Sequence, residues 1–283
     1  MNTQPLQLGE VQQTLLIPLY GRAEASQPPK PMMHDARASE IVEHLDYDFS
    51  QLEGKSSLKG AVIRTLTYDY LLRELLDSYQ QATIVELGCG LNTRFERLND
   101  SRLRWFDLDM PDVYAIWQQF FQVTTSRTFL PYSAFDETWI ARVKEANPSP
   151  PYIFISEAST IYFSEAENRK LFGLLANHFP GCYYIFDTAT NYFIQRQDKH
   201  DTLKFFSARI QWEVNDIQEV AAWDEHYRHL KSVNFFIDPP THLKKHLPVS
   251  LHIMGKILQL FNSPFIRQYQ LNVFQLGIKK HER

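Results

Sequence analysis

Three short segments of the chain combine glycine or acidic residues with the end of an expected strand. In the first, residues 85–94, a buried strand runs into a Gly88-Cys89-Gly90 turn and then a helix. Glycines in such a turn let the backbone approach a ligand without a Cβ in the way, and doubly wound sheets bind ligands at the carboxyl ends of their strands. Taken alone, the turn is equally compatible with an ordinary connection between a strand and a helix.

The second segment, residues 106–111, places Asp109 about 20 residues after the glycines, where a carboxylate can bind both hydroxyls of a ribose. The dinucleotide fingerprint is incomplete, because Thr93 stands in place of its third glycine. A nucleoside without a pyrophosphate indicates S-adenosylmethionine. The alternative role for Asp109 is to cap the helix that begins near Pro111. Asp107 alternates to the other side of the strand and is the weaker candidate.

The third segment, residues 155–163, carries Glu157 at the end of a strand, at the same sheet edge as the other two. A sulfonium cofactor bears a positive sulfur and a positive amino group, so a carboxylate and aromatic faces nearby would stabilise it. Tyr162 and Phe163 are candidate rings, although packing beneath the following helix explains them equally well.

The elements that must position these segments alternate along the chain. The expected strands are residues 82–87, 103–108, 127–130, 152–156 and 182–187, and the expected helices are 38–45, 59–79, 93–98, 112–121, 136–146 and 164–179. Single helices between strands imply a mostly parallel sheet covered on both faces. Two late strands, 233–237 and 269–278, flank helical sequence at 248–261 and predict an antiparallel edge.

The expected fold is therefore α/β and doubly wound, with a mostly parallel seven-stranded sheet, an antiparallel edge strand and N-terminal helical cover. Residues 1–80 form the arm and helical cover in this interpretation, and residues 81–283 form the core. Aromatic and charged sequence at 191–228 is interpreted as helical cover near the mouth of the site, within a lid insertion at about 190–230.

Composition excludes several other classes. The chain has 283 residues, with 29 Lys and Arg against 33 Asp and Glu, and a net charge of −4 disfavours general nucleic-acid binding. Two cysteines, Cys89 and Cys182, are too few for a disulfide scaffold or a four-thiolate zinc site. Apolar runs are too short to span a bilayer and the start of the chain lacks the basic residues of a signal peptide, so a cytoplasmic location is expected. Histidines 200, 226 and 229 are expected to be solvated, and no metal is expected.

The ordered motifs VELGCGLNTR, WFDLDMP and SEASTIYFSEAE resemble the leucine carboxyl methyltransferase family, which includes protein-phosphatase carboxyl methyltransferases and polyketide O-methyltransferases of the tetracenomycin kind. The resemblance runs from about residue 20 to about residue 187. It implies a class I S-adenosylmethionine-dependent methyltransferase with a Rossmann-like, seven-stranded sheet whose last strand is antiparallel.

The resemblance also implies roles for single residues. It places the 88–90 turn in the cofactor loop, Asp109 at the ribose and Glu157 at the methionine end of the cofactor. Arg64 and, more weakly, Arg22 match basic residues that grip the cofactor carboxylate. The complete set of cofactor-binding residues expected here is Arg22, Arg64, Glu86, Gly88, Cys89, Gly90, Asp109, Ser133, Ala134, Glu157 and Ala158.

Two departures from the family pattern are visible. Where many members have an acidic residue that reads the adenine amino group, this chain has Ser133, with Asp136 as the alternative or as only a helix cap. After Glu157 the chain has Ala158-Ser159-Thr160 rather than Gly-Val-Leu, which alters the expected shape of the acceptor pocket.

The leading functional hypothesis is an S-adenosylmethionine-dependent O-methyltransferase that acts on a carboxylate or hydroxyl of a small molecule, in secondary metabolism. The alternatives are carboxyl methylation of a protein or peptide C-terminus, and a catalytically inactive module that only binds the cofactor. A dehydrogenase that uses NAD is a weaker fourth hypothesis, because the third glycine of its fingerprint is missing. A nucleic-acid or membrane partner is not expected, and the sequence leaves the oligomeric state open.

Overall fold

A computed structural model describes residues 8–146, 150–234, 239–246 and 268–278 of the chain. Its strands are β1 (Ala82–Leu87), β2 (Leu103–Asp109), β3 (Arg127–Pro131), β4 (Tyr152–Ser156), β5 (Cys182–Ala189), β6 (Arg228–Val233) and β7 (Tyr269–Leu276). Its α-helices are α1 (Leu16–Ala25), α2 (Ala36–His44), α3 (Ser57–Leu76), α4 (Arg94–Leu98), α5 (Pro111–Phe120), α6 (Thr138–Ala146), α7 (Glu165–His178), α8 (Asn191–Ile194) and α9 (Ile217–Ala221).

The described strands form one seven-stranded sheet in the order β3-β2-β1-β4-β5-β7-β6. Neighbours among β1 to β5 are parallel, and β7 runs antiparallel between β5 and β6. The connections reverse direction between β1 and β4, since β2 and β3 extend the sheet on one side and β4 and β5 on the other. That reversal opens a crevice at the carboxyl ends of β1 and β4.

Alternate residues of the strands build two apolar layers, one on each face of the sheet. Ile84 and Trp105 pack with Tyr68 and Leu72 of α3 on one face. On the other face, residues such as Val85, Phe106 and Phe154 pack with α6 and α7 through Trp139, Leu171 and Phe172. Because both faces are covered, the central strands are buried on both sides and largely apolar, as expected for a parallel sheet.

The N-terminal helices form a third apolar cluster beside the sheet rather than on its face. Leu16 and Leu19 of α1 and Ile41 of α2 pack against Trp117 of α5. The chain ahead of α1 forms a 3-10 turn at Gln12–Leu15, and the Gly9 amide donates to Asp112 Oδ2 at 2.9 Å. These contacts hold the arm across the carboxyl end of β1.

The C-terminal half differs from the sequence prediction in two places. The strand expected at 233–237 lies instead at Arg228–Val233, where exposed residues alternate with half-buried ones along the sheet edge. The strand was predicted too late in the chain because the residues that follow β6 are apolar. Residues 235–238 and the predicted helix at 248–261 lie outside the described residues. Helical cover at 191–228 is reduced to α8, α9 and the 3-10 turns Gln197–Lys199 and Leu203–Phe205.

Candidate functional site

A cavity of about 270 Å³ lies in the crevice between β1 and β4. Its walls come from the turn after β1, the ends of β2, β3 and β4, the arm before α1, and α3. Of the eleven residues that the sequence proposed, ten line this cavity: Arg22, Arg64, Gly88, Cys89, Gly90, Asp109, Ser133, Ala134, Glu157 and Ala158. The three sequence segments therefore converge on a single hollow.

Both glycines of the turn adopt the left-handed region, with φ of +66° at Gly88 and +53° at Gly90. A Cβ on Gly88 would lie 2.1 Å from the Ser159 Oγ, and a Cβ on Gly90 would lie 3.1 Å from the Leu15 Cβ. The turn is thus pressed between the arm and the loop after β4, and glycine is required at 88 by both conformation and space.

The Asp109 carboxylate is fixed at the end of β2 by two backbone donors. Its Oδ2 accepts from the Gly90 amide at 2.7 Å and its Oδ1 from the Met110 amide at 2.8 Å. Helix α5 begins at Pro111 with Met110 as its N-cap, so Asp109 is not that cap. Burial raises the pKa of Asp109 to about 6 despite these bonds. Each carboxylate oxygen keeps a lone pair that can accept a hydrogen bond from a hydroxyl group.

Glu157, at the end of β4, is held by two arginines and a hydroxyl. Its Oε1 accepts from Arg64 Nε at 3.1 Å and from Thr65 Oγ1 at 2.7 Å, and its Oε2 pairs with Arg94. Burial alone would raise the pKa of Glu157, but Arg64, Arg94 and Thr65 bring it to about 2. Within the described residues the Arg64 guanidinium bonds only through Nε, so its two terminal nitrogens are available to an anion in the cavity.

Arg94 joins this site to a buried charge network below it. The side chain is fully buried and pairs with Glu86, Asp69 and Glu157. Arg97 pairs with Asp69 as well. Sequence reasoning quoted Arg94 within the motif but gave it no role, since nothing in its neighbours signals that a charged side chain is buried.

Glu86 is the one proposed site residue outside the cavity wall. It lies on β1 beneath the turn, where its Oε1 pairs with Arg94 and accepts from Asn92 Nδ2 at 2.8 Å. Burial raises the pKa of Glu86 to about 7, against the opposing effect of Arg94. Its position supports the turn from below. Asp107 is also away from the cavity, paired with Arg127 at 2.5 Å.

Arg22 lines the cavity but is already engaged by the protein. Its Nε donates to Asp35 at 3.1 Å and its Nη2 to the Leu91 carbonyl at 2.7 Å. These bonds tie α1 to the loop after β1. Burial lowers the pKa of the guanidinium.

At the end of β3, Ser133 and Ala134 line the cavity, whereas Asp136 is exposed and accepts from the Thr138 amide at 2.9 Å. Asp136 therefore serves the start of α6. Beyond β4, Ala158 has φ +50°, and its amide donates to Asp187 Oδ2 at 2.8 Å. That bond fixes the strained backbone directly after Glu157.

The far part of the cavity is lined mainly by apolar and aromatic groups that sequence reasoning missed or left undecided. Tyr162 and Phe163 line it, together with Phe193, His200, Leu203, Ile210 and Tyr269 from the segment after β5 and from β7. The Phe193 ring meets Tyr269 edge-on, with centroids 5.5 Å apart. His200 was expected to be solvated, but its side chain is mostly buried, with 28% of its surface exposed. The alternating aromatic and charged sequence of this segment gave no periodic signal that could have placed these residues.

Within the described ranges, no helix is both long and apolar enough to cross a membrane. The same residues contain no cluster of three or more His, Cys, Asp or Glu side chains that could hold a metal ion.

The profile of the leucine carboxyl methyltransferase family matches residues 16–176, more than half of the chain. The chain belongs to this family. It is an S-adenosylmethionine-dependent methyltransferase, as the sequence predicted, and the predicted family, fold class and cofactor are confirmed.

Two curated relatives are similar over more than half of this chain. The tetracenomycin polyketide synthesis O-methyltransferase TcmP of Streptomyces glaucescens is 24% identical over 213 residues, which cover 75% of this chain and 78% of TcmP. The S-adenosyl-L-methionine-dependent methyltransferase dpfgK of Gibberella zeae is 26% identical over 184 residues, which cover 59% of this chain and 61% of dpfgK.

Solved structures share the fold at low sequence identity. A DUF574 family protein from Streptomyces avermitilis superposes with a TM-score of 0.55, at 11% identity, over 92% of this chain and 97% of that protein. The plantazolicin methyltransferase BpumL, solved with a triazolic desmethylPZN analog and S-adenosylhomocysteine, superposes with a TM-score of 0.51, at 9% identity, over 95% of this chain and 100% of BpumL.

Proposed function

We propose that this protein transfers the methyl group of S-adenosylmethionine to a carboxylate oxygen of a small, largely apolar molecule. One observation carries the proposal: the cavity lined by Asp109, Arg64 and Glu157 is also lined by aromatic side chains that follow β4 and β5. O-methyl transfer in polyketide synthesis, the activity named for the relative TcmP, supports a small-molecule acceptor.

The cofactor half of the cavity fits the chemical groups of S-adenosylmethionine. The free lone pairs of Asp109 accept the two ribose hydroxyls, and the terminal nitrogens of Arg64 bind the methionine carboxylate. Ser133 and Ala134 lie where the adenine edge is read, and Glu157 provides negative charge for the amino group. Arg22 and Glu86 act through Leu91 and Arg94 rather than by contact.

S-adenosylmethionine, when bound, supplies an electrophilic methyl group on a sulfonium centre. The protein contributes alignment and exclusion of water, which in favourable cases lower a barrier by about 7–11 kcal/mol. The arm before α1, the loop after β4 and the segment after β5 provide apolar walls for this, through Leu15, Ile161 and Phe193 respectively.

The lining groups favour an acceptor that is already ionised. Glu157 has a pKa of about 2 and is too weak a base to take a proton from a phenol or an alcohol. Asp109 is assigned to the ribose, and His200 Nδ1 already accepts from the Leu203 amide at 3.4 Å. Burial raises the pKa of the Tyr162 and Tyr269 hydroxyls, which keeps both protonated. A carboxylate needs no base at neutral pH, so it suits this cavity better than a hydroxyl does.

Calorimetry with S-adenosylhomocysteine and an assay with tritiated cofactor test the proposal together. We expect micromolar binding of S-adenosylhomocysteine and, with extracts of the source organism, label that enters the organic phase and is released by mild base as methanol. Label in base-labile protein esters would instead assign a protein or peptide acceptor. Binding without any labelled product would favour the inactive module.

A methyl group at Gly88 is expected to damage cofactor binding through Ser159. In Gly88→Ala the new Cβ meets the Ser159 Oγ, and the left-handed backbone adds about 1–2 kcal/mol of strain. We expect S-adenosylhomocysteine affinity to fall at least tenfold by calorimetry. Ser159→Gly is the matched control. It should bind normally alone and recover part of the loss in the double variant; no recovery would contradict the steric explanation.

Cofactor affinity is expected to fall in mild acid because of Asp109. Ribose hydroxyls donate to the ionised carboxylate, whose pKa of about 6 in the free protein means that a proton must be displaced below that pH. The dissociation constant for S-adenosylhomocysteine should therefore rise by up to about tenfold per unit between pH 6 and pH 5. Glu86 and Asp187 also titrate near this range, so Asp109→Asn is the control and should flatten the profile.

A further inference from the structure

His200 lies in the aromatic part of the cavity, on the segment that follows β5. Its ring meets Phe193 edge-on, with centroids 5.8 Å apart. Among the described residues that line the cavity, His200 is the single histidine, and its side chain is mostly buried.

One ring nitrogen of His200 is occupied by the protein backbone. Its Nδ1 lies 3.4 Å from the Leu203 amide, 3.5 Å from the Thr202 amide and 3.2 Å from the Thr202 Oγ1. Backbone amides can only donate, so Nδ1 accepts and carries no proton. In the neutral ring the proton is then on Nε2, the nitrogen left for a ligand.

Burial favours the neutral ring against the opposing charge of Asp201. Asp201 lies 3.7 Å from Nδ1, but its Oδ2 accepts from Ser56 Oγ at 3.0 Å and the Ser57 amide at 3.2 Å. Burial lowers the pKa of His200, Asp201 raises it, and the Arg64 guanidinium lowers it further. A neutral ring with a proton on Nε2 is a hydrogen-bond donor and not a base at that atom.

We propose that His200 selects and positions the acceptor by donating a hydrogen bond from Nε2 to an oxygen of its carboxylate, while the rings of Phe193 and Tyr269 enclose the apolar body. This inference rests on the proposed function, and it assigns the acceptor class as an aromatic carboxylic acid. It also assigns to His200 a role in binding rather than in proton removal.

The tautomer is testable without any substrate. In long-range ¹H–¹⁵N spectra of the whole protein with S-adenosylhomocysteine, the His200 signals are those that disappear in His200→Gln. We expect the pattern of a neutral ring protonated at Nε2 at pH 7. A proton on Nδ1, or a charged ring at pH 7.5, would overturn the inference.

Binding of a probe acid provides the second test. With S-adenosylhomocysteine bound, we expect 2-naphthoate to bind the wild-type protein, about 10- to 100-fold more weakly to His200→Phe, and within about threefold of wild type to His200→Gln, which keeps a donor. His226→Gln, at an exposed histidine paired with Asp224, is the matched control and should not differ from wild type.

The two proposals fail in different ways. Wild-type protein that binds S-adenosylhomocysteine but not 2-naphthoate, or equal naphthoate binding by His200→Phe, overturns the role of His200 and leaves the methyltransferase assignment intact. If the wild-type protein does not bind S-adenosylhomocysteine, the proposed function itself is wrong. Each His200 variant is therefore compared with wild type at saturating S-adenosylhomocysteine, because His200 lines the same cavity as Arg64 and its replacement can change cofactor affinity as well.

Discussion

Replacing Asp109 with Asn should weaken S-adenosylhomocysteine binding about 100-fold while the fold stays intact. The variant loses the charge that two ribose hydroxyls would meet, and each hydrogen bond to a charged group contributes roughly 1.5–3 kcal/mol. The amide also sets an N–H group against one of the two backbone donors, at Gly90 or Met110. Titration calorimetry measures the loss.

The matched control for this prediction is Asp136→Asn. Asp136 is an exposed acid of the neighbouring loop whose carboxylate caps a turn at Thr138 and does not line the cavity. Its variant should bind as wild type does. Binding by Asp109→Asn within about threefold of wild type would show that the ribose is held elsewhere.

Replacing Arg94 with Leu should lower the free energy of unfolding by about 3–5 kcal/mol, because it removes a cation from three buried carboxylates and takes from Glu86 its one ion pair among the described residues. Arg94 is fully buried and pairs with Asp69, Glu86 and Glu157. Urea denaturation measures the change. The loss should be greater at pH 8 than at pH 6, because without Arg94 the pKa of Glu86 rises above its present value of about 7 and its ionised form becomes costlier to bury.

Arg37→Leu is the control, since Arg37 pairs with Glu40 on an exposed helix surface. Exposed pairs of this kind contribute little to stability, so this variant should unfold as wild type does. A similar small change for Arg94→Leu would mean that the buried carboxylates are accommodated by protonation or by water.

Much of the sheet was predictable, because buried parallel strands and capped helices carry strong local signals. Strand β1 has the expected bounds, and helix α7, which a capping box of Ser164 and Glu167 opens, lies within one residue of its expected bounds at both ends. Strand β6 was misplaced because an edge strand of alternating polar residues resembles a loop, while the apolar sequence after it resembles a strand.

The cofactor half of the site was predictable for the same reason: its residues sit at the ends of regular strands. The acceptor half was not, because His200 and Phe193 lie on short turns whose placement depends on contacts with distant residues. The backbone of that segment bonds to the Ile161 carbonyl and, farther along, to the Ala189 carbonyl. Such pairings leave no periodic trace in a single sequence.

Strand β7 completes both the sheet and the candidate site when it pairs with its neighbours. Among the strands of the sheet, β7 comes last in sequence, yet it lies between β5 and β6 and pairs with both. Its first residue, Tyr269, lines the cavity and donates a hydrogen bond to Asp187. A nascent chain from which β7 has not yet emerged therefore exposes an open edge of β5, and its candidate site is complete only when β7 pairs with that edge.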